Sequence, residues 1–302
     1  MSIIEKAVNK LASAPIEPNR IAKTKETERV SQVFGAVTDE ADRAGDHTFS
    51  KTNDLGAGYS EAVETVDIDL TRLRKAQIAL ESDDNPRLYE ELRMIKRKLL
   101  VNAAGLGDSS IEKGNLIMVT SSVPDEGKTF MATNLALSIA REIDRTVLLV
   151  DADIAKSDVS KIFDLDDRKG LTEYLTGDVE LNDVLLKTNV QGLEILPAGS
   201  KANNTTELIA SNKMVELASR LSSQNKDRIV IFDCPPILVT SEAPILASLV
   251  GQVAFVVCAG VTKEKEFINS IERLDHSKFV GLIMNQSNEE AESGYYGYYT
   301  NT

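Results

Sequence analysis

The chain has 302 residues, of which 42% are hydrophobic and 27% are charged, a composition that is ordinary for a soluble globular protein. Its length allows one large α/β domain with an extension, or two domains. The net charge of −13 argues against a general nucleic-acid binder, which needs clustered Lys and Arg, but it permits a local phosphate site built from backbone N–H groups.

Residues 1–14 predict a short amphipathic helix, which would dock on a partner, on a membrane surface or on the protein's own body. Its apolar residues recur at helical spacing: Ile3, Ile4, Ala7, Val8 and Leu11. Charges interrupt the segment throughout, so it has no signal-peptide core. Residues 15–85 are mostly polar, punctuated by glycine and without sustained periodicity, which predicts a largely flexible linker.

Residues 86–286 predict one α/β domain. It opens with the helical stretch "PRLYEELRMIKRKLLVNA" and continues with six strand-like runs: "NLIMVTS", "TVLLVDAD", "GLEILPAG", "RIVIFDCPP", "QVAFVVCAG" and "FVGLIMNQ". Helical stretches such as "FMATNLALSIARE" and "TKEKEFINSIERLD" lie between them. Near-continuous apolar strands that alternate with helices predict a doubly wound, mainly parallel sheet covered on both faces. Ligands of such sheets bind at the carboxyl ends of the strands.

Two features bear on the compartment. Cys234 and Cys258 each lie in a strand-like run, and we expect buried, reduced thiols, as in a cytoplasmic protein. The stretch 243–261 is apolar, but Pro244 and Gly251 interrupt it. We therefore expect a short helix followed by a buried strand, and no membrane span.

A phosphate-binding loop is predicted in "VTSSVPDEGKTFMATNLA", which follows the first long strand and opens a helix. Gly127, Lys128 and Thr129 supply the G-K-[ST] end of a P-loop. In such a loop the backbone N–H groups cradle phosphates, the lysine reaches the terminal ones and the hydroxyl holds Mg²⁺. Ser122 stands where the full pattern has its first glycine, so a loop without a nucleotide is the alternative.

Three carboxylates end strands at the expected ligand-binding edge of the sheet. Asp151 and Asp153 end "VLLVDAD", and Asp233 ends "IVIFD". A single aspartate after a strand is usually a helix cap, but three beside Lys128 are the arrangement that holds Mg²⁺ and its waters. The sequence therefore predicts binding of MgATP or MgGTP.

Tyrosines are concentrated at the end of the sequence. Of seven tyrosines in the chain, the stretch "GYYGYYTNT" holds four: Tyr295, Tyr296, Tyr298 and Tyr299. Residues 287–302 are predicted to be a pliable tail, because glycines and acidic residues surround these aromatics. A disordered tail that is merely adhesive is the alternative.

The set "VPDEGKT", "VLLVDAD", "IFDCPP" and "YYGYY" resembles the bacterial tyrosine kinases of exopolysaccharide synthesis. The resemblance extends over roughly residues 86–302, and "GLTEYLTGD" and "LEILPAGSKANNTTELIAS" agree with it. The opening "MSIIEKAVNKL" is similar to that of the soluble family members that accompany a separate membrane chain-length determinant.

The resemblance implies ATP-dependent autophosphorylation, in which the tyrosine tail of one subunit enters the active site of its neighbour. The implied catalytic residues are Lys128, Asp151 and Asp153. The implied Mg²⁺ ligands are Thr129, Asp151, Asp153 and Asp233. The implied nucleotide contacts are Asp125, Glu126, Gly127, Lys128, Thr129 and Phe130, with Asn285 at the adenine. The implied phosphate acceptors are Tyr295, Tyr296, Tyr298 and Tyr299.

Two of these roles have alternatives. Asp151 is the candidate to receive the proton of the tyrosine hydroxyl, or it acts on the metal shell. Asn285 either contacts the adenine or only forms a turn.

The resemblance also implies partners. The helix with Glu90, Arg93 and Lys96 three residues apart would serve self-association in a ring or chain. A membrane chain-length determinant, or polysaccharide co-polymerase, would activate the chain, and a tyrosine phosphatase would reverse the modification. The protein would be cytoplasmic and would lie at the inner membrane through its partner, and no nucleic-acid partner is expected.

The chain departs from the family pattern at several positions. Asp125 stands where the family usually has glycine, and we expect the loop to keep its shape with weaker nucleotide affinity, because Asp tolerates unusual backbone angles. Ala155 stands where the family often has an arginine, and Lys156 follows it. Ser122 in place of the first P-loop glycine is a further departure.

One alternative function is a partition- or septum-type ATPase, although Val123 occupies the place of the signature lysine of that group. A second is a catalytically weak nucleotide-binding regulator.

Overall fold

The computed structural model describes residues 64–78, 83–106, 111–225, 227–274 and 279–287. The predicted N-terminal helix, most of the predicted linker and the tyrosines of the tail lie outside these ranges. All described residues belong to one of two units of the chain, Ala62–Thr302.

Eight strands form a single sheet in the described ranges. They are β1 Thr65–Val66, β2 Leu116–Ser121, β3 Thr146–Asp151, β4 Leu186–Thr188, β5 Leu193–Leu196, β6 Arg228–Asp233, β7 Gln252–Cys258 and β8 Phe279–Asn285. Their order across the sheet is β1-β4-β5-β3-β6-β2-β7-β8. Only β4 and β5 pair antiparallel, and the other neighbours pair parallel. The predicted mainly parallel α/β fold is confirmed.

Helices connect the strands. They are α1 Leu70–Lys75, α2 Pro86–Ala103, α3 Lys128–Ala140, α4 Asp158–Ile162, α5 Leu171–Thr176, α6 Leu181–Val184, α7 Thr205–Ile209, α8 Asn212–Ser223, α9 Glu242–Leu249 and α10 Glu264–Ile271. Crossover helices of this kind are what parallel strands require between them.

The central strands are buried on both faces. In β2, Ile117 and Val119 belong to a core cluster that includes buried residues of α2 and α3. Met118 alternates with them and therefore faces the other side of the sheet, where α8 and α9 contact β2. Helices on both faces explain why these strands read as continuous apolar runs without polar alternation.

Helix α2 is fixed to the sheet near its C-terminal end. Its N-terminus is capped by Asn85, and Leu92 and Leu99 are its buried residues. Gln252, the first residue of β7, is completely buried and donates from Nε2 to the carbonyl oxygen of Leu99 at 3.1 Å. Asn102 donates to Oε1 of Gln252 at 3.0 Å. These bonds satisfy polar groups that would be costly to bury alone.

A strand and a helix lie before the predicted domain boundary at residue 86. Strand β1 pairs with β4, with Thr65 opposite Lys187 and Val66 opposite Thr188. Asp69 then caps α1 by accepting from the backbone N–H of Arg72 at 3.0 Å. The C-terminal part of the predicted linker is thus a strand and a helix, which are too short to produce a periodic pattern.

The apolar stretch 243–261 divides into α9 and β7 as predicted. Among the described residues, no helix combines the length and apolar character needed to cross a membrane. Cys234 and Cys258 are buried free thiols, in agreement with the sequence-based expectation.

Candidate active site

The loop between β2 and α3 reverses the chain through two left-handed residues. Asp125 has φ 67° and Gly127 has φ 92°, which confirms that aspartate accommodates the backbone conformation at position 125. A Cβ on Gly127 would lie 2.0 Å from Nδ2 of Asn285, so another residue would displace that amide besides adopting a left-handed φ. Gly127 caps α3 without a side-chain hydrogen bond. The first N–H groups of α3 therefore lack the side-chain acceptor that a Ser or Asp cap supplies, as a phosphate-binding helix terminus requires.

The three predicted aspartates lie at the carboxyl edge of the sheet. Asp151 ends β3 and Asp233 ends β6, and the two are directly paired in the β3–β6 ladder. Asp153 follows two residues after Asp151, and all three are at most 3% exposed. The structure thus brings together the carboxylates that the sequence placed at one edge.

Lys128 and Thr129, the first two residues of α3, contact these carboxylates directly. Lys128 Nζ lies 2.8 Å from Oδ2 of Asp153 and 4.0 Å from Oδ1 of Asp233. Thr129 donates from Oγ1 to Oδ2 of Asp233 at 2.7 Å. Lys128 and Thr129, the residues predicted to bind phosphate and metal, therefore contact the aspartates in this structure, and a triphosphate would compete with Asp153 for Lys128.

Burial and nearby carboxylates make Asp151 and Asp233 reluctant to ionise. Burial raises the pKa of Asp233 to about 7, against the attraction of Lys128. Burial also raises the pKa of Asp151 to about 6, against hydrogen bonds from Ser160. Burial opposes protonation of Lys128, but Asp233 and Asp153 outweigh it and raise its pKa. Buried carboxylates facing one ammonium are an environment that favours a further cation.

The chemistry of the donor set fits Mg²⁺. Oδ1 of Asp151 and Oδ1 of Asp233 are buried without a hydrogen-bond partner in the described part of the chain, and Thr129 adds a hydroxyl. Oxygen donors are the ligands that Mg²⁺ prefers. Within the described ranges, no three acidic, His or Cys side chains form a complete metal cage.

Glu126 and Asn285 support the loop. Glu126 is 1% exposed, and its Oε2 accepts from the backbone N–H of Val123 at 2.9 Å. Thr262 donates its hydroxyl to Oε1 of Glu126, and Asn285 donates from Nδ2 to the carbonyl oxygen of Glu126 at 3.0 Å. Phe130 packs against the core. Nucleotide contacts of these residues, including the adenine contact of Asn285, stay predictions.

An ion pair spans the two loops that border the site. Lys156 Nζ lies 3.1 Å from Oδ1 of Asp125, and the Asp125 side chain is 89% exposed. The backbone N–H of Lys156 also bonds to Oδ1 of Asp153 at 3.2 Å. The carboxylate that departs from the family pattern therefore has a partner in the residue that follows Ala155. The sequence contained both residues but gave no sign of their contact.

Ser160 and Thr262 belong to the site although no motif points to them. Ser160 contacts Asp151, and Thr262 contacts Glu126. Neither residue belongs to a recognised pattern, and both come near the loop only through the three-dimensional course of the chain. Sequence reasoning could have found them only as hydroxyl residues in segments that follow β3 and β7.

The residues of the predicted self-association motif on α2, Glu90, Arg93 and Lys96, differ in their exposure. Arg93 lies 3.4 Å from Glu90, and both side chains are about half exposed or more. Lys96 is different, because its side chain is only 11% exposed and its Nζ lies 2.5 Å from Oε1 of Glu142. Glu90 and Arg93 can therefore reach a neighbour, whereas Lys96 ties α2 to the turn after α3.

The fold and the site define a P-loop NTPase-like α/β domain, and comparisons with known proteins agree. The family model described as an AAA domain matches residues 116–275, just over half of the chain. Tyrosine-protein kinase CpsD of Streptococcus agalactiae is 35% identical over 195 residues, which cover 62% of this chain and 82% of that protein. The kinase domain of the Escherichia coli tyrosine kinase ETK superposes with a TM-score of 0.61 at 26% identity, covering 77% of this chain and 92% of that one.

The chain belongs to the family of bacterial tyrosine-protein kinases, as the motifs indicated. Its relatives differ in length. A putative tyrosine-protein kinase in the cps region of Klebsiella pneumoniae is 31% identical over 238 residues, and the match covers 71% of this chain but only 32% of that protein.

Proposed function

We propose that the chain is an ATP-dependent protein-tyrosine autokinase that modifies a neighbouring copy of itself. The observation that carries this proposal is the contact of Lys128 and Thr129 with Asp153 and Asp233 at the sheet edge, in a chain that belongs to the tyrosine-protein kinases. Phosphoryl transfer depends mainly on positioning and on charge neutralisation, and these residues supply both.

Each residue has a proposed role in the transfer. Lys128 would neutralise the β- and γ-phosphates. Thr129, Asp153 and Asp233 would hold Mg²⁺, which would neutralise further charge on the triphosphate. Asp151 accepts the proton of the tyrosine hydroxyl. The tyrosine oxygen bonds to the γ-phosphorus, and the bond from that phosphorus to the β–γ bridging oxygen breaks, so that its electron pair leaves with ADP.

The proposed acceptors are the tail residues Tyr295, Tyr296, Tyr298 and Tyr299, in a tail rich in glycine and glutamate. All of them lie outside the described residues. Such a composition suits a soluble tether that reaches a neighbouring site.

The proposed assembly is a ring or chain of copies. A groove of about 600 Å³ runs along α2 and the turn after α3, and its lining includes Arg93, Arg97 and Ile143. Ile143 is 98% exposed, and an apolar side chain beside guanidinium groups suits an interface. Each phosphate on a tyrosine adds about −1.5 to −2 charges. In a chain with net charge −13, we expect phosphorylation to loosen the assembly, measured as a lower mass by analytical ultracentrifugation.

The proposed setting is regulation of exopolysaccharide synthesis at the cytoplasmic side of the inner membrane. A membrane chain-length determinant would act as the activator and a tyrosine phosphatase as the reversing enzyme. The association of the Klebsiella relative with a cps region supports this setting.

A catalytically weak nucleotide-binding regulator is the second candidate. The observation that favours it is the Asp125–Lys156 pair, which places a carboxylate next to the phosphate-binding loop. Such a protein would bind MgATP but transfer no phosphoryl group.

Incubation with labelled MgATP followed by anti-phosphotyrosine detection tests the proposal. The comparison uses wild type, Lys128→Met and a chain that ends after Gly294, with the partner's cytoplasmic segment present and absent. We expect label on the wild type and loss of phosphotyrosine in both variants. Nucleotide binding by a wild type that stays unlabelled would instead support the regulator.

A further inference from the structure

We propose that Ser160 is a positioning residue that fixes the orientation of the Asp151 carboxylate. The inference rests on the proposed function, in which Asp151 meets the tyrosine hydroxyl. Neither the motifs nor the proposed roles above assign a function to Ser160.

Ser160 places two donors on one oxygen of Asp151. Its backbone N–H donates to Oδ2 at 2.8 Å and its hydroxyl donates to the same oxygen at 2.7 Å. A carboxylate oxygen has two lone-pair sites, so Oδ2 is fully used. Oδ1 has no partner among the described residues, and it is therefore the oxygen that remains available for the reaction.

The direction of the Ser160 hydroxyl is also fixed. Ala198 donates its backbone N–H to Oγ of Ser160 at 3.1 Å. Ser160 is 1% exposed, so water does not compete for this hydroxyl. Since Oγ accepts from Ala198, its own proton points to Asp151.

The backbone of Ala198 is itself held on its other side. Thr172 donates to the carbonyl oxygen of Ala198 from its backbone N–H at 3.0 Å and from Oγ1 at 2.9 Å. Leu171 donates to the carbonyl oxygen of Pro197 at 2.8 Å. Consecutive bonds therefore run from the first turn of α5 through Ala198 and Ser160 to Asp151.

Loss of the Ser160 hydroxyl should let the carboxylate rotate. A terminal sp² torsion has a broad, two-fold energy profile, and the backbone N–H of Ser160 alone leaves one site on Oδ2 free. A rotated carboxylate no longer presents Oδ1 in a constant position. Misplacement of a reacting group by about 1 Å can cost about 100-fold in rate.

The test compares Ser160→Ala with Ser160→Thr, Ser160→Cys and the control Ser157→Ala in the full chain. Ser157 is also a buried serine of this segment, but its hydroxyl donates to the carbonyl oxygen of Ile154 at 2.9 Å and not to Asp151.

We expect Ser160→Ala to lower kcat about 10- to 100-fold, with KM for MgATP and Kd for MgADP changed less than about threefold. Ser160→Thr should restore kcat, whereas Ser160→Cys, which fills the space but donates weakly, should not. Ser157→Ala should keep kcat close to wild type.

Wild-type kcat in Ser160→Ala, an equal loss in Ser157→Ala, or a raised KM at unchanged kcat would each overturn the inference. A second readout needs no activity. In crystal structures without nucleotide, the Asp151 carboxylate should occupy one orientation in wild type and Ser160→Thr, and a rotated or split orientation in Ser160→Ala. An unchanged carboxylate in Ser160→Ala overturns the inference even if the wild type transfers no phosphate, so it fails separately from the proposed function.

Discussion

At the scale of single residues, the sequence predicted the main polar groups of the site. It did not predict several of the side-chain contacts that position them. The P-loop lysine and the aspartates were predictable because a strand, a loop and a helix occur in a fixed order around them. The Asp125–Lys156 pair and the Ser160–Asp151 bond were not, because side chains 31 and 9 residues apart meet only once the loops have folded.

Asp125→Gly should strengthen nucleotide binding. The substitution removes a negative charge beside the phosphates and frees Lys156, and glycine accepts the positive φ at this position. The expected gain is about three- to tenfold in Kd for MgADP, smaller at high salt because the groups are exposed. Titration calorimetry at two salt concentrations measures it, with Lys156→Met as the paired control. Weaker or unchanged binding in Asp125→Gly would show that the carboxylate does not oppose the nucleotide.

Asp233→Asn should stabilise the protein in the absence of nucleotide while abolishing the response to it. The carboxylate is completely buried and has a raised pKa, so its charged form costs free energy in the folded state. An amide still accepts from Thr129. We expect the free energy of unfolding to rise by about 1–3 kcal/mol and the thermal shift with MgADP to disappear. A lower Tm without nucleotide would mean that the charge stabilises the fold.

At the scale of elements, the sequence predicted the long buried strands and β5 but missed the two shortest strands, β1 and β4. Strands β2, β3, β6 and β7 are continuous apolar runs, and their burial follows from composition alone. Strands β1 and β4 have two and three residues and are polar or exposed at half of their positions or more. They form because a distant segment pairs with them, and no local pattern reports this.

Helix α5 offers a test of a capping interaction by pH. Glu173 accepts from the backbone N–H of Gly170 at 2.7 Å and of Ser200 at 3.0 Å. Burial alone would raise its pKa, but the bonds from Ser200 and Gly170 outweigh burial and lower it. A lowered pKa means that the stabilisation is present above the unfolded-state pKa of about 4.3 and is lost as the pH falls through the folded-state value.

Glu173→Gln should therefore cost about 0.5–1 kcal/mol of unfolding free energy at pH 7. The difference from wild type should shrink below about pH 4. Urea denaturation at several pH values measures both, with Glu180→Gln at the N-cap of α6 as the comparison. A difference that stays constant with pH would show that charge on Glu173 has no part in the cap.

At the scale of the whole molecule, the proposed function joins a phosphate-binding site in one copy to the tail of another. The domain holds the P-loop, the carboxylates and the exposed side of α2, while the proposed acceptors are in the last residues of the chain. The family resemblance anticipated this organisation. The structure adds the contacts among the site residues and a strand and a helix that lie before residue 86.

The most direct test of this account mixes two variants with MgATP. The donor is a chain that ends after Gly294 and retains Lys128. The acceptor is the full chain with Lys128→Met, which keeps the tyrosines. We predict phosphotyrosine on the acceptor tail, located by mass spectrometry at positions 295–299, and none when the donor also carries Lys128→Met. An acceptor tail that stays unmodified beside a donor that binds MgATP would contradict transfer between copies.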